Sequence, residues 1–206
     1  MKTITRTLGI ALALPCSLAA TLKAQDLFVA NYDSGTIGEY GLDGSTVNPS
    51  LISGMNTPYG IAVSGGDVFV ANYYNNTVGE YTTSGVTVNP SLISGLDYPS
   101  FIAVSGNDLF VAQIGSDTIG EYTTGGATVN ASLISGLSNP VGIAISGNDL
   151  FVANRGGGIG EYTTSGETVN ASLVPGLDDG PVRWHAGGPG RGSDVALAGV
   201  PVRSLV

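Results

Sequence analysis

The pentapeptides LFVAN at 27–31, VFVAN at 68–72, LFVAQ at 109–113 and LFVAN at 150–154 recur in this chain, each starting 41 residues after the last. A fixed period of this length marks an array, a solenoid or a ring of repeated units rather than one irregular core. Each pentapeptide is followed by IGEY or VGEY, ending at Tyr40, Tyr81, Tyr122 and Tyr162. TVNPSLISG or a close variant comes next, and then Pro58, Pro99, Pro140 or Pro181. The fourth copy loses one residue near Gly156 and regains it at Gly180.

Four strand-like pieces fill one period: GIAVS at 60–64, DVFVANY at 67–73, TVGEYTT at 77–83 and VTVNPSLIS at 86–94. Each is short, β-branched or aromatic, and bounded by Gly, Asn, Asp or Pro. SGGD or SGND, beginning at Ser64, Ser105 and Ser146, places Gly followed by Gly or Asn between two apolar runs, which is the chemistry of a tight hairpin. TTSG and TTGG supply the next turn. Consecutive hairpins about ten residues apart form a four-stranded meander, and such sheets at a period of about 40 to 45 residues are propeller blades. The sequence therefore predicts an all-β fold, a β-propeller of four-stranded antiparallel blades with four repeats. The first repeat lacks its leading GIAV strand, so an open ring is expected.

Composition supports this and narrows the setting. Only 11% of residues are charged and 32 are glycine, which suits short strands and tight turns rather than amphipathic helices. Residues 1–24 read as a secretory signal: Lys2 and Arg6 precede an apolar run over 8–20, and small residues follow. Cleavage before Gln25 removes the only cysteine, Cys16, so disulfides and thiol chemistry are not expected despite a secreted or periplasmic destination. It also removes Lys2, Arg6 and Lys23, leaving four of the seven basic residues against 16 acidic ones. Such a surface repels nucleic acid and anionic membranes. About 180 residues remain, one domain on length alone, able to bury roughly 70% of its unfolded surface.

Pro-x-Gly-Ile-Ala-Val followed by Gly-Asp-x-Phe-Val-Ala-Asn resembles the NHL-repeat propellers, and IGEYTTSG is similar to the blades of virginiamycin B lyase-like proteins. The resemblance covers about 25–181. It implies a ring of six or seven blades, and it is weaker for activity than for architecture, because propellers host many unrelated functions. In the lyase type, activity rests on a histidine with acidic residues and a metal. The only histidine here, His185, lies beyond the last repeat, so none of those roles transfers. Lactonase-type relatives imply a calcium site of carboxylates and amides, which this composition allows without marking one out.

Candidate residues fall into three sets. Glu39, Glu80, Glu121 and Glu161 form a repeated carboxylate that could ring a calcium ion. Strand alternation instead assigns each Glu to solvent and the neighbouring Tyr to the space between blades. Asn31, Asn72, Gln113 and Asn154 end the second strand of each unit, where an amide either reaches a ligand near the axis or bonds to its own turn. Tyr73, Tyr74 and Arg155 lie in the variable turns YDSG, YYNN, IGSD and RGGG and are the side chains there most suited to a partner. The repeats hold no histidine, cysteine or lysine, so no catalytic or metal set is assigned.

After Pro181 the register ends, and 182–206 bring three arginines, Trp184 and His185 into a chain whose residues 26–180 hold one basic residue, Arg155. A closing segment or a shifted reading frame would each produce such a break. The expected function is a secreted binding or scaffold module without catalysis, taking a protein, a glycan or a small molecule, with self-association through its open ends. The alternatives are a lyase- or lactonase-type enzyme using a divalent cation, and a truncated fragment without function.

Overall fold

The computed structural model describes residues 26–155 and 157–176. The expected signal (1–24) and the divergent tail (182–206, with Trp184 and His185) lie outside the described residues. Within them the chain forms one three-stranded and three four-stranded antiparallel sheets, each a simple meander. Blade 1 comprises β1 (Asp26–Asn31), β2 (Thr36–Gly41) and β3 (Thr46–Ile52). Blade 2 comprises β4 (Pro58–Ser64), β5 (Asp67–Asn72), β6 (Thr77–Thr82) and β7 (Thr87–Ile93). Blade 3 comprises β8 (Pro99–Ser105), β9 (Asp108–Gln113), β10 (Thr118–Thr123) and β11 (Thr128–Ile134). Blade 4 comprises β12 (Pro140–Ser146), β13 (Asp149–Asn154), β14 (Gly158–Thr163) and β15 (Thr168–Val174).

The first strands of successive four-stranded blades lie side by side, β4 against β8 and β8 against β12, while β1 approaches β4. The fourth strands form the outer rim. β7 is exposed along its length until Leu92 and Ile93 turn inward. Pairing of each rim strand shifts register beside its Asn-x-Ser, as between Val78 and Tyr81. Asn89 Oδ1 accepts the Ser91 N–H at 3.1 Å. The same bond recurs at Asn130–Ser132 and Asn170–Ser172, where Ala131 and Ala171 replace proline, so the irregularity goes with the Asn turn and not with proline. A bulged outer edge also discourages stray strand pairing.

Alternation along the strands gives each blade two apolar faces. On blade 2, Val68, Val70 and Tyr81 pack with Ile61 against Phe28, Ala30, Ile37 and Ile52 of blade 1. Its other face, Phe69, Ala71, Val78 and Ile93, packs against Ile102, Leu109, Val111 and Tyr122 of blade 3. Blade 3 meets blade 4 in the same way through Phe110, Ala112, Ile119 and Ile134 against Leu150, Val152 and Tyr162. The Gly-x-Tyr spacing follows from this packing. The Tyr81 ring lies back over Gly79, where a Cβ would stand 2.8 Å from ring atoms, and the same overlap occurs at Gly120 and Gly160.

Candidate functional site

Each blade has two kinds of end. At one, the SGGD and SGND hairpins are closed by glycines with positive φ, Gly65, Gly106 and Gly147. The bonds from Thr83 N–H to the Gly66 carbonyl and from Thr124 N–H to the Asn107 carbonyl have equal lengths of 2.8 Å. This end repeats almost without change. The other end combines the turn between second and third strands with the crossover into the next blade, and here side chains differ from blade to blade.

The crossover is held by the turn before it. Leu96 N–H donates to the Asn76 carbonyl and Tyr98 N–H to Asn76 Oδ1, and one blade on Asn139 N–H donates to Asp117 Oδ1. The residue before each crossover proline adopts a left-handed conformation: Thr57, Tyr98 and Asn139 have φ of 53°, 50° and 55°. Left-handed backbone is uncommon for any side chain and stands out for a β-branched or bulky one. This constraint turns the Tyr98 ring toward the neighbouring turn.

An aromatic cluster results. The rings of Tyr73 and Tyr98 lie 5.1 Å apart, Tyr73 and Tyr74 5.1 Å, Tyr59 and Tyr73 5.7 Å, Tyr59 and Phe101 5.4 Å, and Tyr32 and Tyr59 6.1 Å. Three of these contacts are edge-to-face, the arrangement that the ring quadrupole favours. The cluster draws on blade 1 (Tyr32), blade 2 (Tyr59, Tyr73, Tyr74), the following crossover (Tyr98) and blade 3 (Phe101). Tyr74 and Tyr98 are exposed, and the other four are half-buried.

None of these aromatics recurs in all four units, although Tyr32 and Tyr73 share one position of the period. One period on, Tyr59 corresponds to Ser100 and then Val141, Tyr73 to Ile114 and then Arg155, and Tyr74 to Gly115. Phe101 corresponds to Gly60 one period back and to Gly142 one period on. Those substitutions allow close approach elsewhere. A Cβ at Gly60 would collide with the Ser100 carbonyl and the Phe101 backbone, and one at Gly115 would collide with the Asp97 carboxylate.

Burial shapes the acid–base behaviour of the cluster. The Tyr32 phenol is pushed up to about 12 by burial first, then by its hydrogen bond with Tyr74 and by repulsion from the phenolates of Tyr74, Tyr73 and Tyr59. Tyr73 is also raised, chiefly by burial, with Tyr74 and Tyr98 adding to the rise and the nearby Arg155 charge opposing it. The phenols of Tyr32 and Tyr73 are therefore held as neutral donors and acceptors at neutral pH.

Of the residues singled out in the sequence, Tyr73 joins Tyr59, Tyr74 and Tyr98 within the cluster, Tyr74 lies at its exposed edge against Tyr73, and Arg155 is an exposed charge near it. The second-strand amides are engaged by their own hairpins or by the crossover that precedes their blade. Asn31 Nδ2 donates to Thr36 Oγ1 at 3.1 Å, and Asn72 Nδ2 reaches Thr77 Oγ1 at 3.5 Å. Gln113 Nε2 donates to Thr118 Oγ1 at 3.3 Å and to the Ala131 carbonyl at 3.2 Å, while its Oε1 accepts the Asp97 N–H at 3.0 Å. Asn154 Oδ1 accepts the Ser138 N–H at 3.3 Å. Asn72 and Gln113 also hydrogen-bond the buried Tyr81 and Tyr122 phenols.

The repeated Glu residues sit half-buried on the face turned toward the next blade. Burial, and then Asp67 and Asp108 respectively, raise the Glu80 and Glu121 carboxyls. Among the described residues no three His, Cys, Asp or Glu side chains are grouped so that they could hold a metal ion. Sequence reasoning missed Tyr32, Tyr59, Tyr98 and Phe101. Their signal was the loss of the repeat at each of these positions.

No protein-family model and no curated protein sequence matches the chain. Solved structures do. A virginiamycin B lyase from Staphylococcus aureus is 27% identical, covering 72% of this chain and 55% of its own, with a TM-score of 0.54. A gluconolactonase from Xanthomonas campestris is 17% identical, covering 71% of this chain and 58% of its own, with a TM-score of 0.60. A chain of a nidogen/laminin complex is 21% identical, covering 69% of this chain and 59% of its own, with a TM-score of 0.57. The chain thus spans little more than half the length of these proteins, which include enzymes and a protein found in a complex. Its meander blades laid side by side and its likeness to these folds give it the architecture of an NHL-like β-propeller.

Proposed function

We propose that this chain is an exported propeller-type binding module whose recognition surface is the aromatic end of blades 1 to 3. The observation that carries this reading is the gathering of six aromatic side chains at one end, all at positions where the repeat departs from itself. A residue needed for folding recurs in every blade, as Phe69 and Phe110 do. A residue present in one or two blades answers a local demand. The rings present apolar faces and neutral hydroxyls with little charge, and amphipathic aromatics are enriched at binding surfaces for that reason. This chemistry suits a ligand with flat uncharged rings and hydroxyl groups, such as a glycan, better than an ionic one.

Titration of the secreted protein with a panel of soluble neutral oligosaccharides, followed by calorimetry, tests the reading. Saturable binding is expected, with Tyr73→Ala weakening it at least tenfold while the circular dichroism spectrum is unchanged. A panel without binding, or binding indifferent to Tyr73, Tyr59 and Tyr98 replacements, would sink it.

The likeness to a lyase and a lactonase supports a second reading, an enzyme dependent on a divalent cation. It requires calcium- or magnesium-dependent turnover of a lactone substrate, a readout that the binding reading does not produce.

A further inference from the structure

The three internal junctions share one grammar. The forward face of a blade, carrying Phe, Ala, Val or Ile, meets the backward face of the next, carrying Leu or Val, Val and Tyr. Two faces of the described blades have no such neighbour. Blade 1 carries the backward set Leu27, Val29 and Tyr40, all half-buried, whereas Val68, Leu109 and Leu150 at the Leu27 position are 0% exposed. Blade 4 carries the forward set Phe151, Ala153 and Ile159, also half-buried, with Val174 36% exposed. Their counterparts Phe110, Ala112 and Ile119 are 1%, 0% and 0% exposed.

The forward face of blade 4 and the backward face of blade 1, which meet no blade among the described residues, are thus the two halves of an interface already established three times within the chain. We propose that a second copy of this chain continues it, blade 4 of one copy seating on blade 1 of the next. The contact is heterologous, since each copy contributes a different face, so it either closes into a ring of copies or extends as an array. Apolar area already selected to bury itself against its complement supplies the driving force.

The two faces make a test that separates this interface from others. Light scattering on the secreted chain, extending to Val206, is expected to give at least twice the monomer mass across a concentration series. Phe151→Asp on the forward face and Val29→Asp on the backward face are each expected to give monomers with an unchanged circular dichroism spectrum. Mixing the two variants is expected to restore a dimer, because each retains the face that the other has lost. If Phe151→Asp fails to fold, Ile159→Asp carries the same arm.

A wild-type monomer at all concentrations, as results if residues 177–206 cover the face of blade 4, overturns the proposal. So does a Val29→Asp variant that still dimerises, which would show blade 4 faces pairing with each other. A mixture that stays monomeric overturns it as well.

Discussion

At the internal junctions, Phe28, Phe69 and Phe110 occupy one position of the period and all are buried. At the turn end, one position reads Tyr32, Tyr73, Ile114 and Arg155 along the same four units. The two regions are built from one repeated sequence under opposite demands. A junction must present the same surface on every blade, because each forward face meets the backward face of a copy of itself. The turn end meets no blade, so its side chains are free to vary once the backbone bonds of the crossover are satisfied. Repetition here marks what the fold needs, and departure from repetition marks where a specific contact becomes possible.

Four experiments press on this contrast. The largest effect is expected at a junction. Phe110 is 1% exposed between blades 3 and 4, so Phe110→Ala is expected to cost about 3–5 kcal/mol in urea unfolding. An equally large loss from Tyr73→Ala, whose ring is half-buried at the turn end, would erase the distinction.

Gly60→Ala comes next. Its added methyl would press on the backbone of β8 at Ser100 and Phe101, where no side chain can rotate away, and overpacking of this kind costs about 1–3 kcal/mol. Gly66→Ala, with nothing within 4 Å of its added Cβ, is the matched control at the uniform end and is expected to change stability far less.

Alkaline titration compares the two regions directly. Burial raises the Tyr81 and Tyr122 phenols at the junctions, and burial with tyrosine neighbours raises Tyr32 to about 12 at the turn end. A phenol raised in the folded state binds its proton more tightly there than in the unfolded chain. Its contribution is fully present below the unfolded value of 10.0 and is lost as pH rises through the folded value. Thermal stability is therefore expected to hold to about pH 10 and fall towards pH 12. Spectrophotometric titration should show tyrosines ionising late in the same window, and a normal phenol titration in the folded state would contradict the assignment.

The smallest effect concerns backbone strain. Thr57 holds φ at 53° and buries an unpaired Oγ1. Thr57→Gly removes both the left-handed penalty of about 1–2 kcal/mol and the orphaned hydroxyl. The freedom of glycine in the unfolded chain offsets about 0.5–1 kcal/mol of that gain. A net rise in stability is expected by chemical denaturation, and a loss would mean that Thr57 makes a contact that its geometry does not reveal.

The sequence by itself determined the blades. Period, strand count and the hairpin positions at Gly65, Gly106 and Gly147 all depend on neighbours within one period, where alternation and turn chemistry act locally. It also marked Tyr73 and Tyr74, because two aromatics in a turn of small polar residues are conspicuous. Tyr59 and Phe101 were hidden as ordinary strand aromatics, and Tyr98 as one residue of a loop. Only the tertiary structure placed them together, because contact between Tyr59 and Phe101, 42 positions apart, depends on how far each sheet is turned against the next, a property of packing that no spacing within a repeat encodes. The amides followed the same division. Their position at the end of the second strand was legible, but their partners Thr36, Thr77 and Thr118 became visible only when the hairpin register set the two side chains opposite each other.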